Sequence, residues 1–259
     1  MVKMIQEIYA YREMLVSLVH RDLRGRYKGS ALGFLWTFIN PLLQLGVYTV
    51  VFSVILRNGI QDFYLFLFVA LIPWLFFSGC LTGGAGCIRA QGDMVKKIYF
   101  PREIIPLSFV VSQFINMVLS LIVVIVVLLI AGKGINLVAF LYLPLIMIIE
   151  FLIALGMTML LSGVTVYFRD TEYFIGIIAM LWQFLTPIMY GLDVVPERLL
   201  SIFFLNPMTP VIIAYRDILY YKQVPQLSTL ILALVFGVVM VVVGVLTFGH
   251  LKKHFAEEL

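Results

Sequence analysis

A charged island at residues 96–103 separates two long apolar runs, at residues 63–87 and 104–131, that contain no charged residue. Four of its eight residues are ionic, yet it also holds an aromatic pair and a proline. A membrane loop needs only polarity, so the aromatic pair indicates that a partner protein docks there. Belt aromatics and snorkelling charges at a lipid surface are the competing interpretation. The docking residues of this prediction are Lys96, Lys97, Tyr99, Phe100, Pro101, Arg102 and Glu103.

Catalytic chemistry is not indicated by any pattern in this sequence. It lacks a G-x4-GK[ST] phosphate loop, a G-x-S-x-G turn and a pair of carboxylates in an active-site motif. His20, His250 and His254 share no metal-ligand spacing with the two cysteines. We therefore predict neither catalytic residues nor a bound metal or cofactor. If ATP drives this protein, a separate subunit must bind it.

Glu150 is the one ionisable residue deep inside a predicted membrane span. Charged groups at that depth are functional candidates, because their transfer into lipid is costly. The hypothesis is that Glu150 faces a transport pathway or a subunit contact. The alternative is a protonated or hydrogen-bonded glutamate that faces a neighbouring helix.

The composition indicates an integral membrane protein. The 259 residues are 63% hydrophobic and 12% charged, whereas soluble domains carry about 25% charged residues. So few charges cannot cover a soluble surface, and much of the surface must face lipid. The first thirty residues do not resemble a cleavable signal, and the net charge of +4 does not require a nucleic-acid partner.

Six apolar runs are long enough to cross a bilayer, which takes about 20 residues each. We therefore predict an all-α membrane domain over residues 1–259 with both termini on one side. Thirteen of the eighteen lysines and arginines fall on that side, so the positive-inside rule makes it cytoplasmic. The predicted spans are residues 31–56, 63–87, 104–131, 135–168, 173–192 and 227–249.

Two further segments are apolar without forming plain spans. Residues 4–19 place their apolar side chains at steps of three and four, which predicts an amphipathic helix at the cytoplasmic interface or packed on protein. Residues 194–221 are cut by Pro196, Pro207 and Pro210. Because proline breaks helices, we predict two short re-entrant helices on the outer face, or else an outer loop with interfacial aromatics.

Small residues at Gly25, Gly29 and Gly33 precede the first span beside several basic residues. Their four-residue spacing permits close helix contact, although a tight turn at the membrane surface fits equally well.

Aromatic residues make up 14% of the chain, and some of them cluster inside the first and fifth spans. Many membrane aromatics belong to interfacial belts. Flat rings with a polar edge also suit sugar rings, which have apolar faces and hydroxyl rims. We predict that aromatics of this kind line a substrate path: Phe34, Trp36, Phe38, Tyr48, Phe52, Trp182, Phe184 and Tyr190.

An ordered set of motifs extends along nearly the whole chain. The segment from Arg21 to Gly33 leads into Trp36 and Asn40-Pro41, and the charged island follows the second span. Phe168-Arg169-Asp170, Pro187, Asn206-Pro207-Met208-Thr209-Pro210 and Tyr215-Arg216 come later. In this order and with six spans, the chain resembles the ABC-2 type permeases of polysaccharide exporters, which carry O-antigen, capsule or wall teichoic acid.

The resemblance implies a homodimeric permease in a bacterial plasma membrane that exports a lipid-linked polysaccharide. Two copies of a cytoplasmic ABC ATPase would bind ATP and Mg, and this chain would not itself be an enzyme. Residues 88–103 would be the coupling segment, residues 1–30 an interface and gate segment, and residues 194–221 the outer closure. Spans one and five would line the path. The gate residues would be Arg24, Arg26, Tyr27, Lys28, Gly29 and Gly33.

Other functions remain open at this stage. An ABC-2 exporter of a drug, haem or peptide would have a similar membrane domain. A stand-alone secondary transporter would be expected to show an internal repeat and helices broken at mid-membrane, whereas the breaks here cluster towards one end. A membrane glycosyltransferase or phosphatase would need a charged catalytic cluster, and none stands out.

Overall fold

The computed structural model describes residues 2–25, 29, 31–55 and 59–259. Regular secondary structure within these residues is entirely helical, which confirms the predicted all-α fold. The helices are α1 (Val2–Ala10), α2 (Arg12–Gly25), α3 (Trp36–Thr49), α4 (Phe63–Ala85), α5 (Cys87–Ala90), α6 (Gly92–Lys97), α7 (Ile104–Ile130), α8 (Leu137–Phe140), α9 (Leu143–Tyr167), α10 (Thr171–Leu185), α11 (Glu197–Leu205), α12 (Met208–Arg216), α13 (Leu227–Leu251) and α14 (Phe255–Glu258).

Five helical segments in the described part of the chain are long and apolar enough to cross a membrane. They correspond to the predicted spans one to four and six, so the protein is a multi-pass membrane protein. The segments are Gly33–Ile55, Phe63–Ala85, Ile104–Ile130, Leu137–Tyr167 and Leu227–His254.

The predicted fifth span is shorter than its apolar run. Helix α10 has 15 residues and ends at Leu185, which gives a length of about 22 Å against a hydrocarbon core of about 30 Å. Thr186 leaves the helix in an extended conformation because Pro187 follows it. The rest of the run, up to residue 192, is therefore not part of this helix.

Two short helices occupy the proline-rich segment, as predicted. Helix α11 and the segment Met208–Tyr221, which begins with α12, meet at an angle of 103°. Asn206 ends α11 in an extended conformation, and its side-chain oxygen accepts a hydrogen bond from the backbone N–H of Met208 at 2.9 Å. The bend therefore comes from a helix stop and a new helix start at Asn206-Pro207.

Helix α4 forms the centre of the chain, whereas the first span lies at its edge. In the most apolar stretch of α4, 78% of the residues are buried, compared with 11% in the first span. Helices α9 and α13 approach closely at Gly156 and Gly244. A Cβ atom on Gly156 would lie 2.2 Å from the backbone carbon of Met240, so a side chain at this position would force the helices apart.

The N-terminal helices α1 and α2 pack on the end of the bundle that the positive-inside rule predicts to be cytoplasmic. Ile8, Tyr11, Leu15 and Leu18, which share the predicted apolar face, contact a buried cluster that includes residues from α7 and α14. Glu7, Arg12, Glu13 and Ser17 are exposed on the other side. The amphipathic pattern is thus used for packing on protein, one of the two alternatives that the sequence leaves open.

Candidate functional site

The segment between spans two and three folds as two short helices followed by a turn. Helix α6 ends at Lys97, and Ile98 then adopts an extended conformation. Tyr99 projects from this turn with 92% of its surface exposed, and Ile98 is 57% exposed. Lys96 and Lys97 are also exposed, and Lys97 pairs loosely with Asp93 at 3.6 Å. We call the contiguous residues 96–99 the docking strip.

Phe100 and Glu103 do not belong to that exposed strip, which corrects the predicted docking set. Phe100 is only 5% exposed and packs into the chain's own cytoplasmic cluster beside Val95 and Phe255. Glu103 is 3% exposed, and Lys252 donates a hydrogen bond to its carboxylate at 2.5 Å. Both side chains therefore hold the turn onto the body of the permease, which leaves Tyr99 as the aromatic anchor available to a partner.

Residues 251–255, near the C-terminus, form the other side of the contact with the turn. Arg102 donates a hydrogen bond to the backbone carbonyl of Lys252, and its guanidinium lies 5.9 Å from the ring centre of Phe255. The hydroxyl of Tyr167 donates to the carbonyl of Leu251 at 2.8 Å. These bonds link the turn and α9 to the end of the last span.

The structure describes only some of the predicted gate residues. Arg24 lies exposed in the last turn of α2, while Arg26, Tyr27 and Lys28 lie outside the described residues. Gly29 and Gly33 have φ angles of +82° and +49°, and no heavy atom of another described residue lies within 4 Å of the Cβ position of either. They therefore serve a turn, which only glycine adopts easily, and not a close helix contact.

A large open cavity lies beside this gate segment, on the face that is predicted to be cytoplasmic. Its volume is about 1020 Å³, and Arg21, Arg89 and Arg169 line it together with acidic residues. Arg89 donates to the carboxylate of Glu172 at 2.9 Å, which ties the end of the second span to the start of α10. The cavity connects the predicted gate segment with the start of the fifth span.

The predicted path aromatics fall into two groups. Tyr48, Phe52, Trp182 and Tyr190 pack against the chain's own core. Phe34, Trp36 and Phe184 are exposed, whereas Phe38 is half-buried against Phe34 at 5.4 Å between ring centres. One hydrogen bond joins the first span to α10, from the side-chain amide of Gln183 to the hydroxyl of Tyr48 at 3.1 Å. A single chain therefore does not enclose an aromatic path, and the path itself stays a prediction.

Asn206 connects the bend at residues 197–221, which we call the outer hairpin after its predicted side of the membrane, to the end of α10. Its side-chain oxygen accepts from the indole N–H of Trp182 at 2.8 Å. Its amide donates to the hydroxyl of Thr186 at 2.9 Å and to the carbonyl of Leu185 at 3.2 Å. The bond to Leu185 satisfies a backbone carbonyl that has no helical partner where α10 ends.

Arg216 fixes the chain segment that follows α10. Its guanidinium donates to the carbonyls of Ile188 at 2.6 Å and Tyr190 at 3.1 Å, and it lies 3.5 Å from the ring centre of Phe66. The sequence count treats Arg216 as an outer-loop charge, but the structure buries it. It is a structural cation that pairs with orphaned carbonyls and an aromatic face.

Glu150 is fully buried inside the chain and faces the outer hairpin. The hydroxyl of Tyr215 in α12 donates to its carboxyl oxygen at 2.7 Å. This arrangement matches the alternative in which Glu150 bonds to a neighbouring helix. The glutamate is enclosed by protein, so it does not border an open pathway in this conformation.

Asn206, Tyr215 and Arg216 belong to the sequence motifs, but the motifs predict none of their contacts. No pattern described above singles out the contact of Lys252 or the amide residues Gln113 and Asn116 of α7. The amides carry a signal that could have been found, because they lie three residues apart in a run with no charge. Among the described residues, no three histidine, cysteine or acidic side chains converge as a metal site.

Comparison with known proteins agrees with this architecture. The model of the ABC-2 type transporter family matches residues 13–220, about four-fifths of the chain. The chain therefore belongs to the ABC-2 type transporter family. Within that family it is a membrane permease subunit. The ABC-2 permeases of polysaccharide exporters work with an ATPase subunit.

Individual similar proteins match most or all of the length of this chain. The chain is 35% identical over 261 residues to the O-antigen export system permease protein RfbA of Myxococcus xanthus, with 100% of both chains covered. It is 33% identical to a protein of the same name from Klebsiella pneumoniae, with 95% of each covered. It is 24% identical to the polysialic acid transport protein KpsM of Escherichia coli, with 78% of this chain and 79% of the other covered.

Proposed function

We propose that this chain is the permease subunit of an ATP-driven exporter that moves a lipid-linked polysaccharide out of the cytoplasm. The observation that carries the proposal is the likeness over the full length to a permease named for O-antigen export. The relatives reported above are named for O-antigen and polysialic acid transport. An O-antigen or capsule polymer is therefore the proposed cargo before a wall teichoic acid, a drug, haem or a peptide.

The working unit in this proposal is a dimer of permeases in the bacterial plasma membrane, with both termini in the cytoplasm. The long apolar stretches exposed on the first span and α10 support a second copy as their partner, since Val47, Val54, Ile177 and Leu181 all lie open on the isolated chain. The aromatic path would then form between spans one and five of the two copies.

ATP and Mg bind to the two cytoplasmic ATPase subunits, and the docking strip receives their movement. A cavity of about 350 Å³ next to the strip supports this role, because Tyr11, Tyr99 and Arg102 line it with Glu7 and Lys253. Aromatic and arginine side chains of this kind anchor protein interfaces. The bonds of Arg102 and Glu103 to the end of the chain would carry the movement to the last span.

The glycan enters from the cytoplasmic leaflet beside the gate segment, where the 1020 Å³ cavity opens. The spans then shift as nearly rigid bodies, and the polymer leaves past the outer hairpin.

Co-purification tests the proposal directly. The permease is tagged in its native host and purified in mild detergent, and ATP hydrolysis is measured with and without total lipid-linked glycan from the same cells. We expect an ABC ATPase to co-purify and the glycan to stimulate hydrolysis. A permease that purifies without any ATPase would overturn the proposal, as would unchanged surface polysaccharide after deletion of its gene.

A further inference from the structure

A polar cavity of about 440 Å³ lies inside the membrane bundle, between α3, α4 and α7. It falls within the range of about 300–1,000 Å³ that is typical of small-ligand sites. The apolar part of its wall comes mainly from α4. The polar groups and one indole ring come from α3 and α7, namely Trp36, Thr37, Asn40, Gln113, Asn116 and Ser120.

Helix periodicity explains why these groups face one another. Gln113, Asn116 and Ser120 are spaced by three and four residues, so they share one face of α7. Trp36 and Asn40 lie one turn apart on the facing side of α3. The two helices are joined at this level, because the hydroxyl of Ser120 donates to the carbonyl of Thr37 at 3.4 Å.

A glycine makes room for one of the amides. The Cβ position of Gly79 in α4 lies 3.5 Å from the side-chain nitrogen of Gln113, so a larger residue at 79 would press on this side chain. Asn40 is held from its other side, since the amide of Gln44 donates to its oxygen at 3.2 Å. The wall therefore presents amide groups whose positions are set by their neighbours.

The chemistry of the wall indicates the class of ligand. Polar side chains inside a membrane segment are costly and usually mark a substrate pathway. The described residues that line the cavity include no Asp, Glu, Lys or Arg, so they offer no charge to balance a phosphate or a cation. Neutral amides both donate to and accept from hydroxyl groups, and an exposed indole face suits an apolar ring face.

The part of the cavity wall that α3 forms is exposed. Trp36 is 42% exposed and Asn40 is exposed on α3, the helix of the first span that is predicted to line the path. The wall formed by α4 is closed towards the protein core, where Ile72 and Phe76 are buried. A ligand would therefore enter from the α3 side.

We propose that this cavity binds one neutral sugar ring of the transported glycan, an inference that rests on the proposed export function. Asn40, Gln113 and Asn116 hydrogen-bond the ring hydroxyls, and Trp36 covers an apolar ring face. The cavity thus holds the polymer beside its path through contacts that carry no charge. Such contacts act on uncharged units, while the charged lipid end of the substrate lies elsewhere.

Photocrosslinking in the assembled transporter tests this site. A diazirine-bearing amino acid is placed at position 116, at Phe184 in the proposed path and at Ile122, a lipid-exposed control on α7. The native host is grown on tritiated glucose, so that its own surface polysaccharide carries the label. We expect polymer-sized adducts at positions 116 and 184 and none at position 122.

The outcomes separate the cavity from the export function. A phospholipid adduct at position 116, or polymer adducts at position 184 alone, would overturn the sugar site and leave the proposed export function intact. A host whose surface polymer persists after the permease gene is deleted would overturn the export function itself.

A double variant gives a second, independent readout. Gln113→Leu with Asn116→Leu keeps similar side-chain sizes but removes both amides. We expect the same amount of permease in the membrane and an export rate lowered about tenfold, the change expected for two lost hydrogen bonds. Ile122→Leu is the matched control and should export at the wild-type rate. Unchanged export by the double variant would overturn the site.

Discussion

The side chains of the outer hairpin and those of the docking strip differ in whether they bond to their own chain. In the hairpin, Asn206, Tyr215 and Arg216 all bond to other parts of the same chain. In the docking strip, Tyr99 and Ile98 project from a turn and are largely exposed. The end of the permease that is predicted to face outward is therefore completed by its own residues, whereas the end that is predicted to be cytoplasmic presents a surface that a partner can complete.

Solvent explains the difference. Polar groups at membrane depth have no water to bond, so they must find partners within the protein. An exposed tyrosine at the water side gains no stability from packing on its own chain. Phe100 and Glu103 lie beside the docking strip in the sequence, yet both side chains are buried. Exposed and buried side chains are therefore only a few residues apart. The variants below test this contrast, from the largest expected loss of stability to the smallest.

Phe100→Ala should cost the most stability. Its ring is buried in the cytoplasmic cluster with Val95 and Phe255, and its removal should lower the free energy of unfolding by about 3–5 kcal/mol. Thermal unfolding of the purified permease in detergent measures the loss. A variant as stable as the wild type would show that Phe100 is not held by its own chain and would return it to the docking surface.

Arg216→Ala should come next, with a loss of about 3 kcal/mol. The change leaves the buried carbonyl of Ile188 and that of Tyr190 without their charged donor. Limited proteolysis between residues 188 and 196, together with the unfolding temperature, reports the release of this segment. Arg216→Lys keeps the charge but not the two-pronged geometry and should fall between the two. Equal stability of all three proteins would mean that the hairpin is not held by this residue.

Tyr215→Phe should cost about 1–3 kcal/mol, because it removes the donor to the buried carboxyl of Glu150. Glu150→Gln keeps an acceptor oxygen at the same place and should cost less than about 1 kcal/mol. A double-mutant cycle with Glu150→Leu isolates the bond between the two side chains. Normal transport and assembly by Glu150→Gln would rule out a transport role for the glutamate.

Much of the fold can be predicted from the sequence because a bilayer sets the length of its helices. Apolar runs identify the five span-length helices, four from runs without charge and the fourth span from a run interrupted only by Glu150. Pro196, Pro207 and Pro210 mark the broken segment. Pro187 is a further helix-breaking signal, which the length of the fifth apolar run conceals. The helix α10 ends just before it, at Leu185. The amphipathic pattern of residues 4–19 predicts a helix but not which surface covers it.

The site is less predictable because its contacts join distant parts of the chain. Phe100 shares a buried cluster with Phe255, and Glu103 pairs with Lys252, about 150 residues later. Nothing near residue 100 in the sequence distinguishes the buried Phe100 from the exposed Tyr99. Glu150 likewise finds Tyr215 only through the return of the outer hairpin. Local composition identifies the segment that matters, but tertiary packing decides which of its side chains remain available.

Tyr99→Asp gives the most direct test of the central claim, that an ATPase drives this permease through the docking strip. Because Tyr99 is 92% exposed, the change should alter the unfolding free energy by less than about 0.5 kcal/mol. Tyr99→Phe, which keeps the ring, is the matched control. The measurement is ATP hydrolysis by the complex purified from the native host, with and without lipid-linked glycan. We expect Tyr99→Asp to lose either the bound ATPase or its stimulation by glycan, whereas a stable Tyr99→Asp permease with wild-type stimulation would contradict the account.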